Sequence, residues 1–296
     1  MLGACSSGSP PPIVPRNPEF SVDGKLKIDL LFAADNANNT VLIYQRRKER
    51  LVRTIRNLRQ AQALALDASA NLYVSTLNDY GSIEIFAPPY KSITRSLVVQ
   101  GSLANAVAVA PSGLVVAIQP TQMELVGSGT SEVCTVFGPP SYLHYSGGAF
   151  DRDGNLFFDG TDTSGKPIIS VWPAVQCNID PTSYNLSMGS ELTSAGSLAI
   201  GPDRRLFVLD PAAKILYTYA PPKNKKLGPP IHTTPLTGIA DPVAFAFTPS
   251  GHGIFVSDGN SGVVQKFMYP SGGSPLRTVQ TGGRPSGVAI APPRSI

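Results

Sequence analysis

One unit recurs along this chain, and its recurrence limits the fold more than any single residue can. An apolar strand, a tight turn of Asp, Ser, Gly or Asn, and a second apolar strand appear in "AQALALDASANLYVST", "ANAVAVAPSGLVVAI", "SGGAFDRDGNLFFDG", "GSLAIGPDRRLFVLD" and "VAFAFTPSGHGIFVSD". Turn residues at the same place between two apolar runs mark a hairpin. Each second strand passes through a polar loop into a third that ends in an aromatic and often Pro, as in "IEIFAPP", "IISVWP", "ILYTYAPP" and "VVQKFMYP". A fourth follows in most copies, for example "RSLVVQ" and "LRTVQT", so the unit is a four-stranded antiparallel sheet. In one copy "VCTVFGPP" fits a third strand by its Phe-Gly-Pro-Pro and a fourth by its position, and the period favours the fourth.

The second strands begin near Leu31, Leu72, Leu114, Leu156, Leu206 and Ile254, at spacings of about 41 to 50 residues, which is the range of propeller blades. Six such sheets set radially make an all-β, six-bladed β-propeller. Gly and Pro, 28 each, are available for its many turns. The first copy, "LLFAADNANNTVLIYQRRKERLVRTIRN", has a second, third and fourth strand but no first, and the last, "SGVAIAP", has a first strand and nothing more. Because unpaired sheet edges are unfavourable, the C-terminal strand is expected to close blade one, a clasp of one strand from the C-terminus and three from the N-terminus.

The polar segments after the second strands, "AADNANNTVLIY" and "VSDGNSGVVQKF", resemble the NHL-repeat pattern, in which an apolar strand ends in Asp, then Gly or Asn, then enters an apolar strand finishing in an aromatic. The resemblance covers about residues 25 to 296. On it, the chain is similar to a broad six-bladed superfamily of NHL proteins, gluconolactonase-like hydrolases, strictosidine-synthase-like proteins, virginiamycin-B-lyase-like proteins and TolB. That superfamily mixes enzymes with binding modules, so the resemblance implies a fold and no single function.

Chemistry in a propeller is expected at the mouth of the central channel, where the loops into first strands and out of second strands meet. The first set of loops offers Gln62, Asn105, His144, Ser197, Asp241 and Arg284 as a candidate ligand-binding ring, and the second offers Asp35, Asn78, Asp159, Asp210 and Asp258. Asp35, Asp210 and Asp258 sit where strands turn, and short acidic side chains there usually cap backbone donors. A gluconolactonase-like site would need a divalent cation held by acidic and amide groups including an early Glu, but the only early one, Glu19, lacks matching surroundings. A lyase-like site would need paired histidines and a Glu, and only His144 falls at the mouth; His252 lies in a hairpin turn and His232 in a Pro/Thr-rich loop. No serine-centred elbow, HExxH or Cys/His metal spacing is present. The expectation is therefore a binding or scaffolding module with no cofactor. The alternative is a propeller hydrolase or lyase, lactonase-like and using a divalent cation, with His144, Asp241 and Arg284 at its centre. A structural protein with no small ligand is the third reading.

At the other end, "MLGACSSGSPPP" places Leu2, Gly3 and Ala4 before Cys5, which resembles the bacterial lipobox, where the cysteine after a small residue is lipidated. A full secretory signal also needs a basic segment and an apolar stretch, so the start is read as the remnant of one. Residues 1–22 are expected to be this remnant and a flexible Ser/Gly/Pro tether, with the propeller over 23–296. The implied location is the bacterial cell envelope, lipid-anchored, with an envelope protein or glycan as partner. With Cys5 lipidated, Cys134 and Cys177 would remain either as a disulfide or as two free thiols.

The net charge of +4 implies no nucleic acid by itself. Yet "RRKERLVRTIRNLR" concentrates Arg46, Arg47, Lys48, Arg50, Arg53 and Arg56 on the outer part of blade one. Such a run protects a sheet edge or attracts an anionic surface. RNA binding, known for some NHL propellers, would want exposed aromatics beside the charge, and only Tyr44 is near.

Overall fold

The computed structural model describes residues 29–77, 81–100, 102–127, 133–136, 142–175, 183–187 and 192–292. Among them are six four-stranded antiparallel sheets, one for each sequence copy. The first part of blade one is β1 (Leu30–Asp35), β2 (Thr40–Gln45) and β3 (Arg50–Ile55). Blade two is β4 (Leu64–Leu66), β5 (Leu72–Thr76), β6 (Ser82–Phe86) and β7 (Arg95–Val98), and blade three is β8 (Ala106–Val109), β9 (Val115–Ile118), β10 (Met123–Val126) and β11 (Val133–Val136). Blade four is β12 (Tyr142–Phe150), β13 (Leu156–Asp162), β14 (Pro167–Trp172) and β15 (Tyr184–Asn185). Blade five is β16 (Leu198–Ile200), β17 (Leu206–Asp210), β18 (Ile215–Tyr219) and β19 (His232–Pro235). Blade six is β20 (Pro242–Phe247), β21 (Gly253–Asp258), β22 (Val263–Met268) and β23 (Arg277–Gln280), and β24 (Pro285–Ala291) follows. The ambiguous "VCTV" is the fourth strand of blade three, paired with β10.

Burial follows a strand's place in the blade. Second and third strands lie between neighbours on both faces and read as continuous apolar runs: every residue of β1, β5, β6, β17 and β21 is buried. Fourth strands are outer edges and are the least buried, with a single buried residue each in β7 and β23. Successive side chains in a strand point to opposite faces, so each strand feeds two interfaces. Leu30, Phe32 and Ala34 of β1 pack with Leu72, Val74 and Phe86 of blade two, while Leu31 and Ala33 pack with Phe255 and Val264 of blade six. Similar clusters fill the remaining four gaps between blades.

The strand order β24-β1-β2-β3 closes the ring as a one-plus-three clasp. Pairing runs from Leu30 opposite Ala291 to Asp35 opposite Pro285. The same alternation operates in β24, where Val288 and Ile290 face blade six and Ala289 and Ala291 face blade two. Loss of β24 would leave β1 unpaired and open two interfaces at once. A chain ending at Arg284 should lose at least about 4 kcal/mol of stability, at roughly 1.5–3 kcal/mol per fully buried aliphatic side chain, and melt well below the full chain by circular dichroism. An unchanged melting curve would contradict the clasp.

Candidate functional site

All six first strands enter their blades at one end of the ring. Gln62, Asn105, His144, Ser197, Asp241 and Arg284, one from each blade's entry, line a single cavity there of about 370 Å³. Leu64, Val107, Leu198, Phe245 and Val288 add an apolar wall. The polar groups are held to different degrees. The Asn36 side-chain amide donates to Gln62 Oε1 at 2.8 Å, and Ser286 Oγ donates to the Gln62 carbonyl at 3.0 Å. Asn105 N donates to the Ile118 carbonyl at 2.7 Å, and its side-chain amide reaches the Tyr145 carbonyl at 3.4 Å. Among the described residues, no side-chain hydrogen bond or ion pair engages the Arg284 guanidinium, the Asp241 carboxylate or the His144 imidazole. One cation, one carboxylate and several neutral donors and acceptors therefore face one lumen. Such a set can orient a polar ligand, while His144, Asp241 and Arg284 are not linked to one another as an acid–base relay.

Sequence reading did not pick out Ser146, Gly147, Gly196, Pro211 or Ser286, which share the lining. The ladder of β12 slips between Tyr145 and Gly147, so Ser146 is an extra residue that bulges at the mouth. A Cβ on Gly147 would collide with the Gly196 carbonyl, so blade four can approach blade five this closely only because Gly147 lacks one, while a Cβ on Gly196 would meet the Leu209 carbonyl and the Pro211 ring within blade five. The visible signal was the Gly147–Gly148 pair, which marks close backbone approach but not what it borders.

Three of the mouth aspartates are caps. Asp35 Oδ1 accepts from Arg284 N at 2.9 Å and Asn38 N at 3.2 Å. Asp258 accepts from Ala240 N, Asp241 N and Ser261 N. Asp210 accepts from Thr193 N, the Thr193 and Ser194 hydroxyls, and Ala213 N. Burial opposes ionisation of Asp210 and Asp258, but these donors outweigh it and hold both carboxyls below their ordinary range. These side chains fix the loops that carry Arg284 and Asp241 to the cavity. Asn78 lies outside the described residues.

Asp159 differs because it stands one residue earlier in its strand. Leu156 and Phe158 face blade three, as Leu206 and Val208 in β17 face blade four, so the position equivalent to Asp210 is Gly160. Asp159 instead points toward blade five, where Gly196 N donates to Oδ2 at 3.1 Å and Oδ1 has no partner. Complete burial pushes its carboxyl up to about 7, and the amides of Gly196 and Gly147 pull it down without offsetting this.

The basic run is not one patch. Six extended residues span about 20 Å, so β3 puts Arg46, Arg47, Lys48 and Arg50 at the end of the ring away from the cavity and Arg56 at the cavity end, with Arg53 between. Arg46 turns inward, its side chain only 13% exposed, and pairs with Asp29. Tyr44 is buried and donates its hydroxyl to the Gln280 carbonyl at 2.8 Å, so its ring offers no stacking platform. His252 lies in the turn between β20 and β21, whereas His232 opens β19, edge-on to Tyr269. Cys134 is in β11. Cys5, Glu19 and Cys177 lie outside the described residues, as does the expected tether over 1–22. No group of three His, Cys, Asp or Glu among the described residues is placed to hold a metal ion.

No protein-family model matches this sequence, and no curated protein matches it. Its likeness is to solved structures. A chain in the crystal structure of a nidogen/laminin complex superposes with a TM-score of 0.68 at 15% identity, over 90% of this chain and 100% of that one. The β-propeller domain of Cps50 (Swd1) from Myceliophteria thermophila superposes with a TM-score of 0.57 at 15% identity, over 86% and 84%. Both agree with the propeller fold. At such identity they carry the fold alone.

A raised carboxyl favours the protonated native state, so the stability linked to Asp159 is fullest at acid pH and is lost as pH rises toward about 7. The loss is on the order of 4 kcal/mol from an ordinary carboxylate value to 7. Asp159→Asn should remove this decline, equalling or exceeding the parent chain in denaturant unfolding at about pH 8 and losing that advantage toward about pH 5. Parallel declines for the two chains would show that Asp159 is ionised throughout.

Proposed function

We propose that this propeller is a non-catalytic recognition module that takes a polar ligand, a glycan or a segment of a partner protein into the six-blade mouth. The observation that carries this reading is the convergence of Gln62, Asn105, His144, Ser197, Asp241 and Arg284 on one cavity, with the three ionisable groups uncommitted to internal partners. Arg284 and Asp241 supply opposite charges, the amides and Ser197 supply neutral hydrogen bonds, and the apolar wall excludes water from one side. This division of polar and apolar lining is that of a recognition site. The NHL-like strand endings are consistent with the same role. The lipobox-like "LGAC" supports a place in the bacterial cell envelope, tethered through lipid on Cys5, with an envelope protein or glycan as partner.

A pull-down from bacterial envelope extract, using residues 23–296 as bait, tests the reading. The bait should enrich a discrete partner or glycan, and Arg284→Glu with Asp241→Ala should lower capture at least about tenfold, since losing one partner of a charge pair buried in an interface costs about 2 kcal/mol or more. Undiminished capture by the doubly substituted bait, with its melting curve unchanged, would remove the mouth from recognition. Turnover of a lactone that requires a divalent cation, and is lost in the same variant, would favour the hydrolase reading instead.

A further inference from the structure

Since every first strand starts at the cavity, the turns joining third to fourth strands all lie at the opposite end of the ring. These turns share a composition that the second-to-third turns of blades one, five and six, at the cavity end, lack. In the four blades where they are described throughout, each places large aliphatic side chains in solvent beside basic residues. Blade one has Leu51 with Arg47, Lys48 and Arg50; blade two has Ile93 with Lys91. Blade five has Ile231 with Lys223, Lys225 and Lys226; blade six has Met268 and Leu276 with Lys266 and Arg277. These five aliphatics, 43–51% exposed, are most of the exposed large hydrophobics among the described residues; only Val98 and Leu143 lie elsewhere. The second-to-third turns of blades one, five and six, at the cavity end, read instead Asn36–Asn39, Pro211–Lys214 and Gly259–Gly262, with no large aliphatic.

Among the described residues the charge at this far end is unbalanced, because their acidic side chains are already engaged: Asp29 with Arg46 and Arg47, Glu49 with Arg277, Asp153 with Arg204, and Asp203 with Arg205. Asp67 and Asp151 accept hydrogen bonds inside their own hairpins. Among the described residues Lys48, Arg50, Lys91, Lys223, Lys225 and Lys226 have no acidic partner. Desolvation and then the repulsion of Arg277 and Arg46 hold the Lys266 ammonium below its ordinary range, as expected where cations are in excess.

We infer that the face opposite the cavity docks on an anionic lipid bilayer, with Leu51, Ile93, Ile231, Met268 and Leu276 entering the headgroup region and the neighbouring lysines and arginines meeting lipid phosphates. A protein partner would favour one contiguous apolar patch with a buried centre. Here the aliphatics are distributed over four blades, one in each of three and two in blade six, and flanked by long cationic side chains that can keep their charge in the headgroup layer while their stems follow the aliphatic. Chain entry agrees: Asp29, which leads into β1, pairs with Arg46 and Arg47 at this face, so the N-terminal segment bearing Cys5 joins the ring on the same side. Docked this way, the cavity faces away from the bilayer and is open to its ligand.

Sedimentation of the full chain carrying Cys5→Ser, so that no lipid contributes, with vesicles of phosphatidylcholine alone or mixed with phosphatidylglycerol tests this. Binding should require phosphatidylglycerol and weaken with salt. Lys48→Ala, Lys91→Ala and Lys225→Ala should each weaken it about fivefold, as for ~1 kcal/mol per cation near the surface. Ile93→Asn and Leu276→Asn should weaken it several-fold without changing the melting curve. Arg56→Ala and Arg59→Ala, at the cavity end, should leave it within about twofold, their charge lying beyond a Debye length of the bilayer. No binding to the anionic vesicles at low salt would overturn the inference, as would equal loss from the cavity-end variants. Binding that is salt-sensitive yet indifferent to the aliphatic substitutions, and competed equally by soluble polyglutamate, would also overturn it and assign the face to an acidic protein.

Discussion

Everything in this molecule depends on strands that are buried on both faces and divide their side chains between two neighbours. Because alternate residues point in opposite directions, a strand such as β1 contributes Phe32 to one interface and Leu31 to the other, with no solvent face to spare. No blade can satisfy both faces alone. Six radial sheets give each one two partners, so the closed ring leaves no blade face without a neighbour. The clasp follows from the same requirement. β24 supplies hydrogen bonds to β1 and also Val288 and Ile290 on one side and Ala289 and Ala291 on the other.

The cavity is a by-product of that ring used for chemistry. First strands have only one paired edge, and their free edges and entry loops converge where the blades are closest. Polar side chains can sit there because they retain access to water, while buried carboxylates one strand further out tie the loops down. Asp35 and Asp258 hold the backbone amides of Arg284 and Asp241, so the two opposite charges of the mouth are carried on loops fixed by buried aspartates. Asp159 marks the exception. A shift of one residue turns it toward the next blade, where one oxygen stays unpartnered and the carboxyl is pushed up to about 7.

The repeat, the blade count, the clasp and the entry-loop ring were legible in the sequence because each rests on local pattern: turn chemistry between apolar runs, a fixed period, and a missing strand at one terminus matched by an extra one at the other. Features set by facing were not. Asp159 and Asp210 both end apolar runs and differ in facing: Asp159 directly follows Phe158 and so points to the opposite interface, whereas Asp210 stands two residues after Val208 and shares its side. The bulge at Ser146 shows itself only in the pairing of β12 with β13. The basic run reads as continuous charge, yet β3 carries it from one end of the ring to the other and Arg46 folds back onto Asp29. The segregation of aliphatic and basic side chains to one face involves turns from four blades that are remote in sequence.

Native-state hydrogen exchange of the full chain tests the closed ring most directly. The account predicts that amides of β24 and β1 exchange only through global unfolding, with the same protection as those of the central strands β17 and β21. Fast exchange across β24 while β17 and β21 stay protected would contradict it. The C-terminal strand would then be an accessory edge, and the mouth that depends on Arg284 and Ser286 would not be a fixed site.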